Sequence, residues 1–191
     1  MTEHLDALTS RLARTASEQG LVEVAWRTVD SPVGELLLAA TPAGLARVAF
    51  AREGFDGVLQ DLSARIGPRV LREPGRLDAA AHQLDDYFAG LRTSFDLHLD
   101  DRLSTGFRQQ VQRWLPQIGY GRTASYAEVA AALGRPGASR AVGTACATNP
   151  LPLVVPCHRV LRSGGALGGY LGGLEAKQAL LELEGALPTH R

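Results

Sequence analysis

Cys157 and His158 stand side by side and could do nucleophilic chemistry together. They close an apolar run at 151–155, follow Pro156, and lead through Arg159 and Val160 into a glycine-rich stretch at 168–173. A thiol with an ordinary pKa of ~8.5 is only a few per cent thiolate at neutral pH, so attack on carbon needs an activating neighbour. Adjacency does not make His158 that neighbour. On an extended chain successive side chains point to opposite faces, and a tight turn or a bridging water is needed to bring them to bear. Glu184 is a candidate orienter, because a carboxylate on one imidazole nitrogen leaves the other free to take a proton. Without further context the plainer readings hold: a small buried hydrophobe, a hydrogen-bonded core histidine and a solvated helix-end carboxylate.

The elements that must position these residues fall into two sets. Residues 3–17 read as a short amphipathic helix with Leu5, Leu8 and Leu12 on one side, inside an N-terminal extension over 1–20. From Val22 the pattern becomes strand-like. Val22, Val24 and Trp26 alternate, and residues 36–40 and 45–50 form two strands around a turn at 41–44. Residues 55–66 and 77–89 read as helices, and Phe95, Leu97 and Leu99 as a closing strand. This predicts a small α/β domain over 21–100. Beyond it the chain is mainly helical, so the whole is α+β. Phe107, Val111, Trp114, Leu115 and Ile118 share a helix face that ends at Gly119 and Gly121. Ser125-Tyr126-Ala127-Glu128 has the capping-box form, starting a helix that runs to Leu133. A Gly-Arg-Pro-Gly break separates it from a second helix over 138–147, and a last helix covers 174–183. The pair at about 125–147 is a helix-turn-helix candidate. Its second helix opens Ala138-Ser139-Arg140 and continues with small residues. Slim side chains allow close approach to a groove, and an arginine there could fill a vacated base position; they would equally suit close helix packing.

Composition narrows the classes. The 191 residues carry zero net charge, unevenly spread. Residues 1–100 have 10 Arg against 15 Asp and Glu, and residues 101–191 have 9 Arg and 1 Lys against 5. A basic C-terminal half fits a face for phosphates; two oppositely charged domains that attract each other would give the same balance. There is no membrane-length apolar run and no secretory leader pattern, so a cytoplasmic protein with no membrane partner is expected. Two cysteines make no disulfide framework and no four-ligand zinc site, so no metal and no cofactor are expected.

Taken in order, Ser125-Tyr126, Arg140-Ala141-Val142-Gly143, Asn149-Pro150, Pro156-Cys157-His158-Arg159-Val160, Gly169-Tyr170-Leu171-Gly172-Gly173, Lys177 and Glu184-Gly185 resemble the O6-alkylguanine-DNA alkyltransferase family. The motifs cover roughly 105–185; the preceding domain agrees in size and pattern. The resemblance implies a ribonuclease-H-like N-terminal domain and a DNA-binding, alkyl-transferring domain over 101–191. It implies irreversible, self-inactivating transfer of an alkyl group from O6-alkylguanine, and from O4-alkylthymine, in duplex DNA to Cys157. The protein would bind the minor groove, flip the base and act as a monomer; cooperativity on DNA stays open. By position, His158 would take the thiol proton through a water, held by Glu184, and Lys177 would support the site. Arg140 would be the finger in the vacated base position. Tyr126 would promote nucleotide rotation and contact the guanine ring, with Ser125, Ala138 and Ser139 beside it on the DNA. Tyr170, Leu171, Cys146, Pro152 and Val160 would line the pocket, the backbone of Cys157 and Val160 accepting from the guanine amino group. Asn149 would hold the turn before the active-site segment, and Arg159 would hold structure.

Some relatives carry zinc in the N-terminal domain; no cysteine precedes Cys146, so that site is absent. Leu171 stands where some relatives have serine, and Cys146 where many have a larger apolar residue, which implies a differently shaped pocket with a second thiol. Three rival readings differ from this one in their residues or their turnover. A non-repairing damage sensor of the alkyltransferase-like type replaces the cysteine, which is present here. A plain transcription factor would carry base-reading polar residues along 138–147, and these are mostly small and apolar. A cysteine hydrolase would turn over.

Overall fold

A computed structural model describes residues 11, 15, 16 and 19–187. The helix expected over 3–17 lies, apart from those three helical positions, outside the described residues.

Leu36, Leu37 and Leu38 follow one another without a polar residue, and a strand of that kind must be covered on both faces. The sheet does this. It comprises β1 (Val24–Val29), β2 (Leu36–Thr41), β3 (Gly44–Phe50) and, after helix α1 (Phe55–Arg65), β4 (Val70–Arg72). The order is β3-β2-β1-β4, antiparallel except for β1 with β4. Alternate residues of the buried β2 serve two cores. Leu37 and Ala39 pack with Val58 and Leu62 of α1. Leu36, Leu38 and Ala40 pack with Leu84 and Tyr87 of α2 (Asp78–Phe88) and, through them, with the C-terminal helices.

The closing strand expected at Phe95, Leu97 and Leu99 does not form. Only an isolated parallel bridge joins Leu45 to Leu99. The alternation is real as packing, since Phe95 and Leu97 lie against the shared core. The backbone beside them is taken by a side chain: Gln83 donates to the Asp96 carbonyl and accepts its N–H, both at 2.8 Å. A ladder cannot use groups already paired.

The C-terminal domain contains α3 (Gly106–Trp114), β5 (Ala124–Ser125), α4 (Tyr126–Ala132), α5 (Ser139–Ala147), β6 (Val160–Leu161) and α6 (Gly173–Leu183). The capping box is present: Ser125 accepts from the Glu128 N–H at 3.2 Å, and the Glu128 carboxylate accepts from the Ser125 N–H at 2.6 Å. One core runs through both domains, joining Phe50, Leu84 and Tyr87 to Val111, Val129, Val142 and Leu180. Edge strand β3 also meets the C-terminal domain directly. The Val48 N–H donates to the Pro150 carbonyl at 2.8 Å, and the Arg47 guanidinium reaches the carbonyls of Asn149 and Pro150. Among the described residues no helix is long and apolar enough to cross a membrane.

Candidate active site

The residues after α5 are shaped by Asn149, which has no exposed surface. Its Oδ1 accepts the Leu151 N–H at 3.1 Å, and its Nδ2 donates to the Val155 carbonyl at 2.9 Å and to Cys157 Sγ at 3.1 Å. One side chain thus closes the loop and touches the thiol. Leu153, inside the loop, has φ of 74°, the only positive value outside glycine among the described residues. That conformation costs about 1–2 kcal/mol for an L-residue and persists because Leu153 is buried.

Residues Cys157–Arg159 then form a single 3₁₀ turn. Successive side chains in such a turn leave at about 120° to each other. Cys157 faces Asn149, while His158 and Arg159 both reach Glu184 at the C-terminal end of α6. Strand β6 follows and pairs in parallel with β5, Ala124 opposite Val160 and Ser125 opposite Leu161. That pairing fixes Tyr126 beside the cysteine turn. Lys177 of α6 is completely buried and donates from Nζ to the Val160 carbonyl at 2.6 Å. The Cys157 carbonyl accepts the Val160 N–H. Each of the two carbonyls assigned to the guanine amino group therefore already holds one donor and has one lone pair left.

Glu184 is the hub. Its Oε1 accepts from Tyr87 Oη at 2.8 Å, Arg159 Nη2 at 2.9 Å and His158 Nε2 at 3.0 Å. Its Oε2 accepts from Arg159 Nε at 2.8 Å and the Gly121 N–H at 3.4 Å. Burial pushes this carboxyl up, but His158 and Arg159 outweigh it and hold the pKa at about 2. The His158 pKa is lowered, chiefly by burial, with Glu184 pulling the other way. The ring is therefore neutral near pH 7, with Nε2–H on Glu184 and Nδ1 buried without a partner. Cys157, only 2% exposed, has its thiol pushed by burial to about 11, against the opposing pull of Asn149 and the Lys177 charge. The resting site is a neutral thiol beside a neutral imidazole.

Beyond the turn lies an open cleft of about 710 Å³ lined by Tyr126, Ser139, Arg140, Thr144, Arg162 and Gly168 among others. Among the described residues no carboxylate lines it. Arg140 is exposed at its rim, and Ser125 and Ala138, each just before a helix, are half-buried. Tyr126 is half-buried; burial first, then the two thiols, raises its hydroxyl pKa. Its ring lies over Gly168, where any Cβ would collide with the hydroxyl. Tyr170 sits edge-on to Phe50, with centroids 5.5 Å apart, and to His158, at 6.3 Å; its hydroxyl is buried without a partner. Pro152 and Cys146 are buried, and Leu171 lines a separate cavity of about 380 Å³ between the domains, with Arg47 and Asn149. Among the described residues no group of three His, Cys, Asp or Glu is placed to hold a metal ion.

Three features lay outside the sequence reading. Tyr87 reads from the sequence only as part of a helical stretch; its i+3 spacing from Leu84 is a signal for burial, and a buried tyrosine hydroxyl needs a partner. Arg162 lines the cleft because a tight turn, with Arg162 N–H to the Ala166 carbonyl at 2.9 Å, presents it there. Gly168 gave no signal beyond its glycine-rich surroundings.

Residues 24–100 match the family model for the 6-O-methylguanine DNA methyltransferase ribonuclease-like domain, and 106–186 the one for its DNA-binding domain. A methylated-DNA–protein-cysteine methyltransferase of Mycobacterium tuberculosis is 43% identical over 159 residues, 83% of this chain and 91% of that protein. A constitutive one of Bacillus subtilis is 39% identical over 160 residues, 83% and 94% of the two. The crystal structure of the M. tuberculosis O6-methylguanine methyltransferase superposes with a TM-score of 0.75 at 42% identity, covering 87% of this chain and 96% of that one. A structure of the M. tuberculosis protein in complex with DNA gives the same score, covering 85% and 93%. The two family models together span most of the chain and the relatives match it along most of its length, and the chain belongs to the O6-methylguanine DNA methyltransferase family.

Proposed function

We propose that this protein repairs alkylated duplex DNA by moving the alkyl group of O6-alkylguanine onto Cys157, once per molecule. One observation carries the reading: the buried Cys157 thiol is followed by a buried imidazole whose Nε2 is tied to the Glu184 carboxylate at 3.0 Å and whose Nδ1 is without a partner. In the step, a bond forms between Sγ and the alkyl carbon as the bond from that carbon to O6 breaks. The thiol proton passes through a water to His158 Nδ1, and the imidazolium gives a proton back, through solvent, to a ring nitrogen of the departing guanine anion. A thioether and an unmodified guanine result, and atoms and charge balance. Negative charge grows on O6 as the bond breaks, so a donor there speeds the step. The unpartnered hydroxyl of Tyr170 and the phenol of Tyr126 support that role. O4-alkylthymine carries its alkyl group on an oxygen of the same kind and is a second substrate of the proposed site.

The helix-turn-helix of α4 and α5 would lie on the minor groove, with Ser125, Ala138 and Ser139 against the backbone and Arg140 entering the position left by the flipped base. Arg140 and Arg162 flank a cleft that no carboxylate among the described residues lines, which suits phosphates. The test is intact-protein mass spectrometry after mixing with duplex DNA carrying one O6-methylguanine, followed by peptide mapping. The expected result is one methyl group per protein, on Cys157, and none in Cys157→Ser. Tight binding without methylation would make the protein a damage sensor instead.

A further inference from the structure

The hydroxyl of Tyr87 is the unusual donor at Glu184. It comes from α2 in the N-terminal domain, 97 residues away in sequence, and its side chain is completely buried. The carboxylate does not need it for charge balance, since Arg159 already forks across both oxygens at 2.8 and 2.9 Å. Nor does a buried phenol need a carboxylate. Tyr120, edge-on to Tyr87 at 6.3 Å, satisfies its own hydroxyl on the Leu183 carbonyl at 3.0 Å. Yet Tyr87 is aimed at Oε1, the oxygen that holds His158.

We propose that Tyr87 is a positioning residue for the Cys157 reaction, its hydroxyl setting how strongly Glu184 holds His158. The inference rests on the alkyl-transfer reading above. A carboxylate oxygen that accepts three donors gives less to each. With Tyr87 in place, Oε1 pulls less on the Nε2 proton, the imidazolium is less stabilised, and the ring is kept neutral and able to take the thiol proton. The other groups facing this relay are Arg159 and Cys157 from the 3₁₀ turn, Lys177 from α6, Tyr120 before β5, and Tyr170 from the glycine-rich segment. Of these, Arg159 alone joins Tyr87 in donating to Oε1 beside His158. Removing the hydroxyl leaves the charges in place and changes one neutral donor.

The experiment is the single-turnover rate of methyl transfer from an O6-methylguanine duplex, followed from pH 5 to 8 for the wild type and for Tyr87→Phe. The ring of Tyr87→Phe keeps its contacts with Phe88, Phe95 and Tyr120. His158 must be neutral to act, so a more basic ring moves the acid limb of the profile to higher pH. The expected shift is about half a unit upward, or about a threefold loss of rate at a fixed pH on that limb. Replacing Tyr87 by 3-fluorotyrosine, a stronger donor of nearly the same size, should move the limb downward. A residue that only holds structure would lower thermal stability and leave the limb where it was; an unmoved limb in both variants overturns the inference. Absence of transfer by the wild type would instead bring down the alkyl-transfer reading, and this inference with it.

Discussion

Cys157 is built to be unreactive until something takes its proton. Its thiol is held at about 11 by burial, although Asn149 donates to the sulfur and the Lys177 ammonium lies near. At neutral pH its thiolate fraction is then roughly two orders of magnitude below that of a free cysteine of pKa ~8.5. A protein that uses its nucleophile once loses it for good to any stray electrophile, and a protonated, covered thiol limits that loss. Iodoacetamide at pH 7 should therefore label Cys157 in the DNA-free protein at least about a hundredfold more slowly than a cysteine in a short peptide. The difference should vanish in denaturant. Peptide mapping over a time course checks this, and labelling at the peptide's rate would mean that the thiol is activated at rest. Cys146, also buried and with its pKa raised, serves as an internal comparison.

At the scale of elements, the site depends on segments too short to carry a periodic pattern. Tyr126 opens α4 at the cleft, and its hydroxyl occupies the space over Gly168 that any other residue would fill with a Cβ. Gly168→Ala should displace the Tyr126 ring, slow transfer from duplex DNA at least about tenfold, and leave the urea midpoint nearly unchanged because the cleft is open to solvent. A rate within twofold of the wild type would show that the position of Tyr126 does not matter to transfer. The capping box at Ser125, the end of α6 at Glu184 and the proline-cysteine-histidine run could be read from the sequence because each signal is local. Strands β5 and β6 could not, since each is two residues long and is specified by its partner. Strand β4, three residues long, fails for the same reason. The alternation of Phe95, Leu97 and Leu99 misleads because it reports one packed face, while Gln83 takes the backbone group a strand would use. Tyr87 betrays its burial by spacing but not its partner, which lies in another domain.

At the scale of the whole molecule, the relay doubles as a clasp between domains. Tyr87 enters from the N-terminal side, Arg159 and His158 from the C-terminal side, and Glu184 binds all three. Both titrating groups of the clasp have folded pKa values below their ordinary ones: His158 because burial disfavours the imidazolium, and Glu184 because its donors outweigh burial. For such groups the unfolded chain takes up protons first, so stability is complete above the unfolded pKa and declines as pH falls through the window. The His158 share should fall away below pH ~6.5, and the Glu184 share between ~4.4 and its folded value of about 2. At ~1.4 kcal/mol per pKa unit the Glu184 share is on the order of 3 kcal/mol. Asp100, whose pKa is also lowered, adds acid sensitivity of the same sign and is common to the wild type and its variants. Glu184→Gln tests the carboxylate's share in the window below the histidine range. At pH 7 it leaves the buried Arg159 charge without its carboxylate and should cost about 3–5 kcal/mol. As pH falls from about 4.4 towards 2 the wild-type carboxylate itself becomes protonated, and the gap between the two proteins should close. Urea midpoints taken at intervals from pH 7 to 2.5 read this directly. A gap that stays constant across that range would mean that the ionised form of Glu184 adds nothing to holding the two domains together.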